Sequence, residues 1–125
     1  MLNEADLGYF TGTEKWYRHW MSPRFLYTDG VHHVAENGGD GGAHWLVDAI
    51  FSHQSNPALR TRDLQKFQLW ELKVDNGSAV LTCRADSNTP VLVRQYIPLT
   101  DFTFDIKFYV EGDGTHLTLL LPSEH

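Results

Sequence analysis

The sequence has one cysteine, few prolines and no long hydrophobic run. Its single thiol, Cys83, cannot form an internal disulfide, so nothing indicates an oxidising compartment. The longest aliphatic stretch is Leu119-Leu120-Leu121, which is far below the roughly 20 apolar residues that span a bilayer. The first residues are acidic and lack the apolar core of a signal peptide. We therefore expect a soluble cytoplasmic protein that does not bind membranes.

The chain contains no block of five or more like charges. The 125 residues carry 10 Lys and Arg against 16 Asp and Glu, a net charge of −6. The acidic balance argues against direct binding of nucleic acid. Seven histidines are present, and protonation of all of them would change the net charge to +1. The composition, 42% hydrophobic and 21% charged, predicts one folded domain over residues 1–125.

Residues 12–21 are predicted to form a short first helix. Thr11-Gly12-Thr13-Glu14 has the pattern of a capping box, in which the first and last side chains bond each other's backbone N–H. Trp16, His19 and Trp20 follow at positions i, i+3 and i+4, which lie on one face of a helix. The residues before this segment lack a clear periodicity and are expected to be irregular.

A hairpin, a loop and a second helix are predicted next. Asp29-Gly30 lies between two strand-like runs within Phe25–Val34, and this dipeptide favours a type I′ turn. The glycine-rich stretch Asn37–Gly42 predicts a flexible loop, since it lacks the Lys-Ser/Thr that follows a phosphate-binding loop. Ala43–Phe51 then places its apolar residues along one stripe, which predicts an amphipathic helix.

Five strands are predicted after residue 66. Their ranges are Phe67–Val74, Ala79–Arg84, Val91–Ile97, Phe102–Val110 and His116–Leu121. The fourth range alternates between apolar and polar side chains, as a strand with one buried face does. Short turns between the strands join antiparallel neighbours. The order α-β-β-α-β-β-β-β-β therefore predicts an α+β fold, a curved antiparallel sheet of about five to seven strands with two main helices.

Seven short segments together characterise the chain. They are Phe10–Glu14, Trp16–His19, Tyr27–Val31, Trp45–Asp48, Phe67–Trp70, Thr100–Phe102 and Leu119–Glu124. In this combination they resemble an uncharacterised bacterial family of small proteins, a domain of unknown function often found on mobile elements. The resemblance covers nearly the whole chain from Phe10 onward. It implies a bacterial or phage source, and it implies no activity.

Aromatic residues and histidines are concentrated near the N-terminus. Five of the seven histidines and three of the four tryptophans lie in the first 53 residues. Tyr and Trp combine apolar rings with polar groups, as binding interfaces prefer. The candidate binding residues are Trp16, Tyr17, Arg18, His19, Trp20, Tyr27 and Trp45. They favour a non-enzymatic interaction module that contacts a protein partner or a second copy of the chain.

A second hypothesis gives the histidines a chemical role, as metal ligands or in a small hydrolytic enzyme. Imidazole and carboxylate groups bind metal ions, and a carboxylate can orient a catalytic imidazole. The candidate residues are His19, His32, His33, His44 and Asp48. His44 and Asp48 stand one helical turn apart and form the predicted acid–base pair. Their spacing matches no zinc motif, no cofactor is implied, and Cys83 is expected to be a buried packing thiol.

A third hypothesis is an inhibitor that a mobile element uses against a host defence complex. The acidic net charge motivates it, but the acids are spread along the chain rather than gathered in a block. The three hypotheses differ in whether the N-terminal histidines converge in one pocket. Convergence favours a metal site or an enzyme, whereas dispersal favours the interaction module.

Overall fold

The structure is a computed structural model that describes residues 2–125. Alternating apolar side chains and tight turns form an open mixed sheet of seven strands. The strands are β1 (Trp16–Arg18), β2 (Phe25–Thr28), β3 (Phe67–Asp75), β4 (Ser78–Arg84), β5 (Val91–Ile97), β6 (Ile106–Gly112) and β7 (Leu117–Leu120). The helices are α1 (Asp29–Asn37) and α2 (His44–Ser52), with 3₁₀ turns at Glu4–Tyr9, His53–Ser55, Pro57–Leu59 and Pro122–Glu124. The predicted α+β fold is confirmed.

The sheet order is β1-β2-β7-β6-β3-β4-β5. Five neighbouring pairs are antiparallel, but β2 runs parallel to β7, with Tyr27 opposite Leu119. Parallel neighbours need a long connection. Here the chain from α1 to β6 supplies it, so the N-terminal strands join the sheet through its last strand.

The helix predicted over residues 12–21 is wrong, because this segment contains the edge strand β1. Tyr17 pairs with Tyr27 of β2 in an antiparallel register. The capping box does not form, since the backbone N–H of Glu14 donates to Asp29 Oδ2 at 3.0 Å. A side chain distant in sequence therefore satisfies the loop backbone, and the helical spacing of the aromatic residues is a coincidence.

The hairpin turn predicted next is also wrong, because α1 begins at Asp29. Thr28 caps the helix, since its Oγ1 accepts the N–H of Val31 at 3.4 Å. Asp29 adds a carboxylate to the first turn, where the helix dipole favours it. Gly30 allows the Glu124 side chain to approach the helix backbone closely, because a Cβ at this position would lie 2.6 Å from Glu124 Oε1. The backbone N–H of Gly30 donates to Glu124 Oε2 at 3.1 Å. The Asp-Gly pair thus begins a helix rather than a turn.

Helix α2 confirms the predicted apolar stripe and lies over one face of the sheet. Its buried residues, with the one preceding it, are Ala43, Leu46, Val47, Ile50 and Phe51. They share one core with sheet residues that include Trp70, Leu72, Leu81, Cys83 and Phe108. Cys83 is fully buried, as expected of a packing thiol. Within residues 2–125, every helix falls short of the length and apolarity needed to cross a membrane.

The C-terminal strands follow the predicted ranges closely. Asn76 and Gly77 have φ angles of 47° and 87°, and a type I′ turn requires two such positive values. The strand predicted from Phe102 begins only at Ile106. Phe102 is buried in the core, which explains the apolar alternation. Its backbone N–H, however, donates to Thr100 Oγ1 at 3.1 Å rather than to a neighbouring strand.

Candidate functional site

His19 follows β1 and is buried against α2. Its Nε2 lies 2.7 Å from Asp48 Oδ1, and its Nδ1 accepts the backbone N–H of Met21 at 3.3 Å. A ring nitrogen that accepts a hydrogen bond carries no proton, so Nε2 is the nitrogen that donates to the carboxylate. Both nitrogens are therefore engaged, and only 5% of the residue is exposed. His19 and Asp48 fasten the end of β1 to α2.

Trp20 stands beside this pair and is the most exposed tryptophan, at 74%. Its indole Nε1 donates to Asp48 Oδ1 at 3.1 Å, the same oxygen that His19 contacts. The ring centroids of His19 and Trp20 are 5.5 Å apart. A large aromatic side chain that is already held in one orientation loses little conformational entropy on binding. Trp20 has the properties of an interface anchor.

A row of stacked rings continues from His19 towards α1. Tyr17 stacks on Tyr27 with centroids 5.4 Å apart, and on His32 with centroids 4.1 Å apart and planes 4° from parallel. Burial and the nearby Asp29 carboxylate raise the pKa of Tyr17. Burial and the charge of Glu36 raise the pKa of Tyr27. Both phenols therefore stay neutral in ordinary buffers and present flat, uncharged rings.

Glu36 of α1 joins two histidines from different helices. Its Oε1 lies 3.3 Å from Nε2 of His32, on the same helix, and 3.3 Å from Nε2 of His44, on α2. The predicted pairing of His44 with Asp48 is therefore absent, although the two are one turn apart. Asp48 turns towards His19 and Trp20, whereas His44 reaches across to α1. Asp48 and His44 therefore each contact residues on other elements instead of each other.

His33 points away from its neighbour His32, because consecutive helical residues lie about 100° apart. Its ring lies 5.2 Å from that of Phe10, and its Nδ1 is 3.3 Å from Asn37 Nδ2. The five candidate metal-binding residues thus do not converge on one point, since His19 contacts Asp48, His32 and His44 contact Glu36, and His33 lies apart. Within the described part of the chain, no group of three or more His, Cys, Asp or Glu is arranged to hold a metal ion.

The candidate binding residues are also divided between three places. Tyr17, His19, Trp20 and Tyr27 lie together with His32, Glu36, His44 and Asp48, and we call these eight the histidine–aromatic face. Trp16 and Arg18 alternate with Tyr17 along β1, so they lie on the opposite face of the sheet. Trp45 lines a separate apolar pocket with Ile97 and Leu99.

An open cleft of about 570 Å³ adjoins the histidine–aromatic face. Its walls include Tyr9, Phe10, Glu14, Asp29, His32, His33 and Glu36. The backbone N–H groups of Glu14 and Lys15 donate to Asp29 and lower the pKa of its carboxyl. We call this the acidic cleft, because the carboxylates of Asp29 and Glu36 on α1 and of Glu14 in the loop before β1 line it.

The patterns of histidine and aromatic residues do not predict the carboxylates of the acidic cleft. Glu36 has no motif around it, and the Asp29-Gly30 pair predicts a turn rather than a site. One sequence signal does identify the region: no Lys or Arg occurs from Phe25 to Leu59, whereas four Asp or Glu and four His do. This segment includes both α-helices, so its acidic side chains are not neutralised by a Lys or Arg of the same segment.

The fold and site define an α+β protein with an open mixed sheet, helices on one face and a histidine–aromatic face at one end. The chain belongs to a family of unknown function (DUF6876), whose model matches residues 1–125. A protein of unknown function from Enterococcus faecalis, seen in a crystal structure, is similar in fold, with a TM-score of 0.58 and 19% identity over 81% of this chain and 89% of that one. No curated protein matches the chain. Its function is therefore unknown.

Proposed function

We propose that the protein is a non-catalytic binding module whose histidine–aromatic face, with the adjoining acidic cleft, captures a cationic segment of a protein partner. The observation that carries the proposal is Trp20, which is 74% exposed yet held by Asp48. An exposed indole gains free energy only when a partner covers it. The cytoplasmic location and bacterial source remain predictions from the sequence.

The bonding of His19 supports binding rather than catalysis. A general base needs a nitrogen that can reach the proton of a substrate. Nε2 of His19 bonds Asp48, its Nδ1 bonds the backbone of Met21, and the ring is buried. His32 and His44 share one carboxylate, that of Glu36. These contacts hold the face in shape and leave the rings and carboxylates as the recognition elements.

The charge of the region supports a cationic partner. Glu36 and Asp48 keep 53% and 41% of their side chains exposed, and the acidic cleft adds Glu14 and Asp29. A Lys or Arg side chain can pair with such carboxylates and stack on the neighbouring aromatic rings. Electrostatic attraction would also accelerate the encounter at low salt.

The test measures binding of short fluorescein-labelled peptides by fluorescence anisotropy. Peptides rich in Lys and Arg are compared with matched Glu-rich peptides, at low and high salt. We expect the basic peptides to bind, and Trp20→Ala to weaken binding about tenfold or more, as loss of an interface anchor does. Trp16→Ala is the matched control, because Trp16 is 57% exposed on the opposite face.

Two results would contradict the proposal. One is equal binding, or no binding, of basic and acidic peptides. The other is an equal loss of affinity for Trp16→Ala and Trp20→Ala, which would show that the face itself is not recognised. Circular dichroism of each variant separates a lost contact from a lost fold.

A further inference from the structure

The strand β5 ends the sheet on the side opposite β1 and has one free edge. Val91 and Val93–Ile97 pair with β4 alone, and the register shifts at Leu92, which has no partner on β4. Among residues 2–125, no hydrogen bond reaches the backbone N–H and C=O groups that point outward from this strand. A row of unpaired backbone groups is a template for another strand.

Strand β5 has one feature that can protect a sheet edge, an irregularity at Leu92 near its start, and lacks most of the others. Natural edges are shortened, interrupted by proline, or guarded by several charges. The strand has seven residues, no proline and a single charge, Arg94. Its exposed apolar residues are Leu92 at 38% and Tyr96 at 64%, and Leu99 just beyond is 85% exposed. By contrast, the other edge of the sheet, β1, has only three residues.

We propose that β5 pairs antiparallel with β5 of a second copy, about a two-fold axis at Gln95, and thereby joins two sheets into one. This inference goes beyond the proposed function and does not depend on it. Such a dimer leaves the two histidine–aromatic faces at its far ends, where each remains free to bind.

The register follows from the symmetry and from the side chains of the strand. A two-fold axis perpendicular to the sheet keeps each face on its own side, so residues pair only with residues of the same face. An axis at Arg94 would set two guanidinium groups directly opposite each other, which is unfavourable. An axis at Gln95 places Arg94 of each copy opposite Tyr96 of the other.

This register gives Arg94 the partner that it lacks within one chain. Among residues 2–125, Arg94 forms no salt bridge and no side-chain hydrogen bond. Tyr96 lies two residues away on the same open face of the sheet, and its ring can accept the cation. The two-fold axis makes this contact twice. The strand is therefore complementary to itself, which favours a second copy over an unrelated strand.

The first experiment is sedimentation velocity over a series of protein concentrations. We expect a reversible monomer–dimer equilibrium. Arg94→Ala and Tyr96→Ala should each raise the dissociation constant roughly tenfold, because each removes both symmetric cation–π contacts. The double variant should be no weaker than either single one. Ser87→Ala, an exposed substitution in the turn before β5, is the control.

The second experiment fixes the register by oxidative cross-linking of single cysteines. Gln95→Cys lies on the axis and should give a disulfide-linked dimer, whereas Arg94→Cys should not. The native Cys83 is fully buried and does not compete. A monomer at every concentration, or cross-linking through Arg94→Cys and not Gln95→Cys, would overturn the proposal. If Gln95→Cys does not fold, sedimentation of Arg94→Ala and Tyr96→Ala still tests the proposal, because both residues are exposed and their truncation should leave the fold intact.

Discussion

The two ends of the sheet are held and exposed in different ways. The β1 end is short and depends on polar side chains, chiefly Asp48 and Glu124, that bond residues far away in sequence. The β5 end is long and is held by buried apolar side chains such as Leu81 and Val93. The first end presents side chains to solvent, and the second presents backbone. The proposed partner binding and the proposed strand pairing would therefore use opposite ends of the sheet.

Leu81→Ala should have the largest effect and should test the apolar support of the β5 end. Leu81 is fully buried, and truncation of such a leucine costs about 3 kcal/mol through lost burial and a cavity. Chemical denaturation measures the loss of unfolding free energy. The matched control is Val80→Ala, on the opposite and less buried face of β4, where the loss should be much smaller. Equal losses would contradict the assignment of the two faces.

Glu124→Ala should have the next largest effect and should loosen the β1 end selectively. Glu124 accepts bonds from Thr28 Oγ1 at 2.6 Å, Gly30 N–H at 3.1 Å and Leu121 N–H at 3.0 Å. Loss of these charge-assisted bonds should cost about 2 kcal/mol. Amide hydrogen exchange should rise at the start of α1 while β5 keeps its protection.

The control for this variant is Ser123→Ala, which removes one exposed bond to the Leu7 carbonyl. Its effect should stay within about 0.5 kcal/mol. If Glu124→Ala raised exchange equally at both ends of the sheet, the two ends would not be independently supported.

Protonation of Asp29 should produce the smallest of these effects, at the loop before β1. The lowered pKa of Asp29 means that its bonds to Glu14 and Lys15 stabilise the fold fully above pH 3.8, its ordinary value. That contribution is lost as the pH falls through the lower, folded-state pKa. Protection factors of these two amides should drop there, and Asp29→Asn should lower them already at neutral pH.

A matched carboxylate controls for general acid effects. Asp113 also has a lowered pKa, caused by the backbone N–H groups of His116 and Thr115. Asp113→Asn should therefore weaken only the turn between β6 and β7. If Asp29→Asn left the Glu14 and Lys15 amides fully protected, the bonds of Asp29 would not hold that loop.

Sequence patterns predicted the C-terminal half of the fold because its determinants are local. The Asn76-Gly77 turn lies between strands that pair directly, and the predicted range of β5 is correct. The stripe of α2 follows from helical periodicity alone. For the candidate site, the sequence grouped aromatic residues that the fold separates, and it paired His44 with Asp48, a contact that does not form. His44 illustrates this, since its partner is Glu36 on another helix.

The sequence by itself determined the α+β class, the apolar stripe of α2, the C-terminal strands and the burial of Cys83, because turns and periodicities act over a few residues. Only the tertiary structure decided the start of α1, the parallel pairing of β2 and the bonding of His19. Those features depend on contacts between residues that are distant in the sequence. His19 and Asp48 are separated by 29 positions, and Gly30 and Glu124 by 94 positions. No local energy selects such partners, so they form only when the sheet brings them together.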